Sequence, residues 1–146
     1  MPDRDVPRVL VIDDDVRVRH FLTTALGAAG FAVTATGTGE EGLRLAASRP
    51  ELVVLDVELP DLSGREVCRR LKAAEDTATI PVLMLSGVFT AAVDRSEALE
   101  DGSDAYLTKP VTSRELVAMA LGNLYTRDTP GYGVTSGPAR MAANSR

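Results

Sequence analysis

Leu52 to Leu55 reads "LVVL" and runs without a break into Asp56. A half-buried strand would alternate apolar and polar side chains, so four apolar residues in a row fit a strand covered on both faces. Such strands belong to parallel sheets whose crossover helices lie above and below. The pattern recurs along the chain: Arg8 to Ile12 ("RVLVI") and Pro81 to Leu85 ("PVLML") are similar runs. Phe31 to Ala35 ("FAVTA") and Ala105 to Leu107 ("AYL") also read as strands. Between them, apolar residues fall at helical spacing. Val18, Phe21, Leu22, Ala25, Leu26 and Ala29 mark a first helix stopped by Gly30. Glu40 to Ser48, ending before Pro50, predicts a second, and Arg65 to Ala74, with Val67, Cys68 and Leu71 on one face, a third. Ala91 to Glu100 predicts a fourth, and about Ser113 to Tyr125 a fifth, opened by the capping-box pair Thr112 and Glu115. The expected fold is α/β: a doubly wound, five-stranded parallel sheet with five helices, binding ligands at the carboxyl ends of its strands.

A chain of 146 residues suits one domain with a real core. We expect an N-terminal extension over residues 1–7, a folded domain over 8–125 and a flexible tail or linker over 126–146, where Gly, Pro, Ser and Thr replace any apolar period. No apolar run approaches the roughly 20 residues needed to span a bilayer. The start, "MPDRDVPRVL", lacks the basic and then apolar order of a signal peptide, so a cytoplasmic protein without membrane contact is expected. The net charge of -5 argues against a nucleic-acid surface on this domain. One cysteine and one histidine leave no basis for a structural zinc site. Cys68 reads as a small core filler and His20 as a surface or packing residue of the first helix.

The residues just past four of the strands carry the chemistry. Asp13, Asp14 and Asp15 come after the first run, Asp56 after the third, Ser86 after the fourth, and Thr108, Lys109 and Pro110 after the fifth. A doubly wound sheet brings these ends to one crevice. Two carboxylates about 5 Å apart repel by roughly 3 kcal/mol at an effective dielectric of ~20, so something must relieve them. A hard divalent cation does so. Mg2+ takes one or two carboxylates, several waters and a substrate phosphate. A lysine suits phosphoryl oxygens, and a carboxylate can itself be the nucleophile that forms an aspartyl-phosphate. Asp15 is expected to cap the first helix instead of ligating.

"VLVIDDD", "LVVLDVELPDLSG", "VLMLSG" and "DAYLTKP" together resemble the signature segments of the response-regulator receiver domain, over roughly Val9 to Leu124. The resemblance implies a flavodoxin-like fold of receiver type and a phosphoacceptor switch of a two-component system. Carried over residue by residue, it implies Asp56 as phosphoacceptor and Asp13, Asp14 and Asp56 as Mg2+ ligands, with the backbone carbonyl of Glu58 completing the set. It implies Ser86 and Lys109 as phosphoryl contacts, Ser86 and Tyr106 as switch residues, and a cis peptide bond before Pro110. A histidine kinase or histidine phosphotransfer protein would be the donor. The implied protein is no enzyme beyond its own phosphorylation and dephosphorylation. A downstream protein would read the face made of the fourth helix, fifth strand and fifth helix, and phosphorylation-dependent homodimerisation is open. Glu58 adds a negative charge near the phosphoryl position, where a neutral residue is common.

Three other readings compete. "GTGEEG" (Gly37 to Gly42) spells a dinucleotide fingerprint, but three aspartates occupy the first turn and Glu40 and Glu41 crowd the helix start a phosphate would need. A small aspartyl-phosphate hydrolase of haloacid-dehalogenase type would place an acid where Glu58 sits, yet needs a cap or larger core. A phosphate-independent binding module would not need every site position filled.

Overall fold

The computed structural model describes residues 6–87 and 101–127, with side chains through residue 124. Five strands form one parallel sheet: β1 (Arg8–Ile12), β2 (Ala32–Thr36), β3 (Leu52–Asp56), β4 (Val82–Ser86) and β5 (Ala105–Thr108), in the order β2-β1-β3-β4-β5. The chain also forms α1 (Val16–Ala28), α2 (Gly39–Leu45), α3 (Gly64–Ala73) and a C-terminal helix (Ser113–Arg127). The fourth helix expected over Ala91 to Glu100 lies outside the described residues, as does most of the tail expected over 126–146.

The continuous apolar runs are explained by the two cores they serve. From β1 and β3, Leu10, Ile12, Val53 and Leu55 pack with Val67, Cys68 and Leu71 of α3. The alternate residues Val9, Val11, Leu52 and Val54 pack on the other face with Leu22 and Leu26 of α1 and Leu116 and Ala120 of the C-terminal helix. Period-two side chains therefore feed both layers, and β3 and β4 are buried at every position. β2, at the edge, is mostly exposed.

Local signals set the helix ends. Asp15 is the N-cap of α1, its carboxylate accepting from the amides of Arg17 and Val18. At the other end Gly30, with φ 101°, closes a Schellman motif: Phe31 N bonds Leu26 O and Gly30 N bonds Gly27 O. Thr112 and Glu115 form the reciprocal capping box of the C-terminal helix. The second helix is shorter than the expected stretch of Glu40 to Ser48. It ends at Leu45 and tightens into a 3-10 turn over Ala46–Ser48, where the Ser48 hydroxyl bonds the Leu45 carbonyl. Phe21, read as part of the apolar face of α1, is exposed instead. Leu22 and Leu26 own the inward line, and Phe21 falls at the rim where α1 meets the C-terminal helix.

Gly64 is the tightest joint near the strand ends. Its amide bonds Val57 O, and a Cβ there would lie 2.1 Å from the backbone oxygen of Asp56 and 2.7 Å from Val57 Cα. Backbone cannot yield as a side chain does. Gly64→Ala is expected to cost ~3 kcal/mol or more in urea denaturation. Gly122→Ala, in a helix with open space at its Cβ, is expected to be neutral or to stabilise by up to ~1 kcal/mol.

Candidate functional site

Asp13 follows β1, Asp56 ends β3, Ser86 ends β4 and Lys109 follows β5, so four adjacent strands deliver them to one edge of the sheet. Asp13 is fully buried, Asp56 is 5% exposed, Ser86 is 1% exposed and Asp14 lies open to solvent. Oxygens of Asp13, Asp14 and Asp56 all fall within 4.8 Å of one another. Lys109 Nζ stands 3.2 Å from Asp13 Oδ2 and 3.3 Å from Asp56 Oδ1. The Lys109 amide bonds Ser86 O at 2.6 Å, and the Lys109–Pro110 peptide bond is cis.

Burial pushes the Asp56 carboxyl up from 3.8 to about 6, and the charge of Asp13 adds to the rise. Lys109 and the Glu58 amide, which bonds Asp56 Oδ1 at 3.3 Å, pull the other way without cancelling it. Asp13 is also raised, chiefly by burial, against the hydrogen bond from the Asp15 amide and the charge of Lys109. Burial works to lower Lys109, but Asp56 and Asp13 together outweigh it and hold its ammonium above the usual lysine value. Two buried carboxylates thus share one ammonium group.

These residues suit a hard cation. The donors are carboxylate oxygens, and the buried Asp13 Oδ2 has the charge of Lys109 near it but no hydrogen bond of proper geometry. Oxygen-only ligands at this density favour Mg2+, Ca2+ or Mn2+ over zinc or copper.

Residues 9–121 match the model of the response regulator receiver domain. The chain belongs to that family. "Response regulator MprA" of Mycolicibacterium vanbaalenii is 42% identical over 127 residues, covering 86% of this chain and 53% of the relative. "DNA-binding dual master transcriptional regulator RpaA" of Synechocystis is 40% identical over 114 residues, covering 77% and 47%. The chain therefore spans about half the length of these curated relatives. Among solved structures, chemotaxis response regulator CheY4 of Vibrio cholerae superimposes with a TM-score of 0.76 at 26% identity, covering 82% of this chain and 99% of CheY4. A receiver domain from Clostridium thermocellum gives 0.78 at 26%, covering 84% and 98%. A receiver domain is the phosphoacceptor switch of two-component signalling, a switch and not a true enzyme, and implies a histidine kinase as partner. No helix among the described residues is long and apolar enough to cross a membrane.

The other candidates occupy distinct places in this receiver. Tyr106 is 4% exposed, its ring packed in the α3-side core. Glu58 is exposed, contributing its main-chain N–H to Asp56. Asp15 is spent on capping α1, and His20 is exposed on that helix. Cys68 is buried, and burial pushes its thiol up to about 11, so it is no nucleophile. The "GTGEEG" stretch has no free amides to offer a phosphate at its helix start. Gly39 and Glu40 donate to Asp61, Glu41 to the Thr38 hydroxyl and Gly42 to the Thr38 carbonyl.

Sequence reading missed Arg19, whose guanidinium donates to the Asp13 carbonyl at 2.8 Å. A signal existed. Helix side chains lean toward the N-terminus, so a cation one turn into α1 reaches back over the acidic loop.

Because the Asp56 carboxyl sits above its unfolded value, the native state holds a proton that the unfolded chain gives up. The contribution of Asp56 to metal-free stability should therefore fall as pH rises from about 4 to about 6. Asp56→Asn removes that cost. In EDTA at pH 7.5 it is expected to stabilise the protein by about 1–3 kcal/mol in urea denaturation, with little difference at pH 4.

Proposed function

We propose that Asp56 accepts a phosphoryl group from a phosphohistidine on a kinase or a histidine phosphotransfer protein, with Mg2+ as cofactor. Asp13, Asp14 and Asp56 would hold the ion, with the backbone carbonyl of Glu58. When bound, it supplies positive charge that relieves the carboxylates and the incoming phosphoryl oxygens. The observation that carries this reading is the position of Lys109 Nζ, 3.2 Å from Asp13 and 3.3 Å from Asp56, beside oxygens gathered within 4.8 Å.

The side chains divide the work. Among the described residues, the contacts on the Asp56 carboxylate, from Lys109 and from the Glu58 amide, fall on Oδ1, which leaves Oδ2 to attack phosphorus. An O–P bond forms as the P–N bond of the phosphohistidine breaks, and the imidazole keeps the electron pair and takes a proton. The product carries about 1.5 to 2 negative charges and three acceptor oxygens. Lys109 exchanges its carboxylate contacts for a phosphoryl oxygen, and the Ser86 hydroxyl, at the end of β4, donates to another. Shifts of Ser86 and the β5 residue Tyr106 would then carry the change to the face expected from the fourth helix, β5 and the C-terminal helix. Water later hydrolyses the acyl phosphate, and the exposed Glu58 tunes that lifetime or the metal affinity.

We assign the receiver to residues 8–125 and a linker or tail to 126–146. Output would pass to a partner protein that reads this face, or to a second copy of the chain, in the cytoplasm beside the kinase.

Acetyl phosphate with Mg2+ is expected to add one phosphoryl group per chain, seen as intact mass. The gain should vanish in EDTA and in Asp56→Asn, and Lys109→Met should slow it by at least ~10-fold. No mass gain in the wild type, or repeated turnover of a phosphate monoester, would contradict the switch.

A further inference from the structure

The loop between β3 and α3 carries Glu58 past the end of β3 and returns at Gly64. Its base is secured by backbone. Val57 N bonds Leu85 O, Gly64 N bonds Val57 O, and Gly64 packs against the Asp56 carbonyl. Its apex is open, with Glu58, Pro60 and Asp61 exposed. Leu59 and Leu62 rest against the core, a contact without direction. Among the described residues, the directional contacts from the apex to an element other than the flanking β3 and α3 are made by Asp61. Its Oδ1 accepts from the Gly39 amide at 2.8 Å and its Oδ2 from the Glu40 amide at 2.8 Å.

These two bonds do more than finish a helix. α2 already has its own cap, since the Thr38 hydroxyl takes the Glu41 amide. The Glu40 amide is in an exposed setting, where water would satisfy it. An acid reaching 21 and 22 residues back along the sequence instead fixes one loop relative to another. Gly39 is shaped for it: a Cβ there would meet Val67 at 2.9 Å, Leu62 at 3.2 Å and Asp61 Oδ1 at 3.4 Å. The moored start of α2 follows β2, and Thr36 O at the end of β2 accepts the Asp13 amide at 3.0 Å. One turn thus touches both the acidic loop after β1 and the loop after β3.

We propose that Asp61 is a positioning residue of the acidic site. It moors the β3–α3 loop to the start of α2 and so holds the Glu58 main chain against Asp56. This rests on the reading of the site as a metal-assisted phosphoacceptor and adds a residue to it that touches neither metal nor phosphoryl group. The Glu58–Asp56 bond is long, at 3.3 Å, and lies three residues from the mooring, so it is the contact that release of the loop would loosen first. The stretch that spells a nucleotide fingerprint is, in this protein, a strut between two site loops.

The test uses the unphosphorylated full chain, as wild type, Asp61→Ala and Asp61→Asn. Amide hydrogen exchange by NMR reads the Glu58 N–H in EDTA, and an NMR titration with Mg2+ reads the metal. Asp61→Ala is expected to speed Glu58 exchange severalfold, leaving the amides of Val57 and Gly64 unchanged. It should raise the Mg2+ concentration for half-saturation by up to roughly tenfold, below the effect of removing a partner bonded directly to a ligand. Asp61→Asn keeps one acceptor oxygen and should fall between the two. An unchanged Glu58 amide or unchanged half-saturation in Asp61→Ala overturns the proposal, because a merely structural acid would lower the melting temperature alone. Equal shifts in both variants also overturn it, since they would report only the lost charge. A wild type that binds Mg2+ but takes no phosphoryl group would count against the switch, not against the mooring.

Discussion

The structure turns on repulsion held in place. Asp13 and Asp56 are pinned at the ends of two adjacent, largely buried strands, with Asp14 beside them and Lys109 as the cation between. The strands cannot slip to relieve the acids, because a shift of one residue would send every core side chain of β1 and β3 to the wrong layer. Stability from the core therefore sustains a site that is electrostatically unfavourable in itself. That is a reservoir a divalent cation and a phosphoryl group can draw on.

Positioning comes from three directions. From one side, Asp15 caps α1 and donates its own amide to Asp13, while Arg19 holds the Asp13 carbonyl. From beneath, Gly64 brings the start of α3 against the backbone of Asp56 with no room for a side chain. From the far side, the Lys109 amide ties the loop after β5 to the end of β4. The other end of that region is clamped too. Arg65 and Arg69 of α3 meet the nearly buried Asp101, and Lys72 meets Asp104, just ahead of β5 and Tyr106. Pairs of this kind add little net stability, because desolvation offsets much of their attraction.

Much of this was legible in the sequence because it depends on local pattern. The unbroken run at Leu52–Leu55 demands two covered faces, and topology then gathers Asp13, Asp56, Ser86 and Lys109 without any knowledge of side-chain packing. Asp15 as a cap and Thr112 with Glu115 as a capping box are likewise short-range signals. What escaped depends on contacts between elements. Phe21 satisfies the helical period but faces the rim, since the period fixes a stripe and not its edges. Asp61 pairs with amides 21 and 22 residues away, which no spacing rule anticipates. The position and charge of "GTGEEG" mark its glycines as a turn into an acid-rich helix start and not a nucleotide site. That this turn receives Asp61 is visible only in three dimensions.

Burial and neighbouring charge raise the Asp56 carboxyl, and a divalent cation beside it would relieve that strain. Carbon-13 NMR titration of its side-chain carboxyl, with and without saturating Mg2+, tests this directly. A midpoint near 6 is expected in EDTA, falling when Mg2+ is present. A midpoint at 3.8 without metal, or one that Mg2+ does not move, would contradict it.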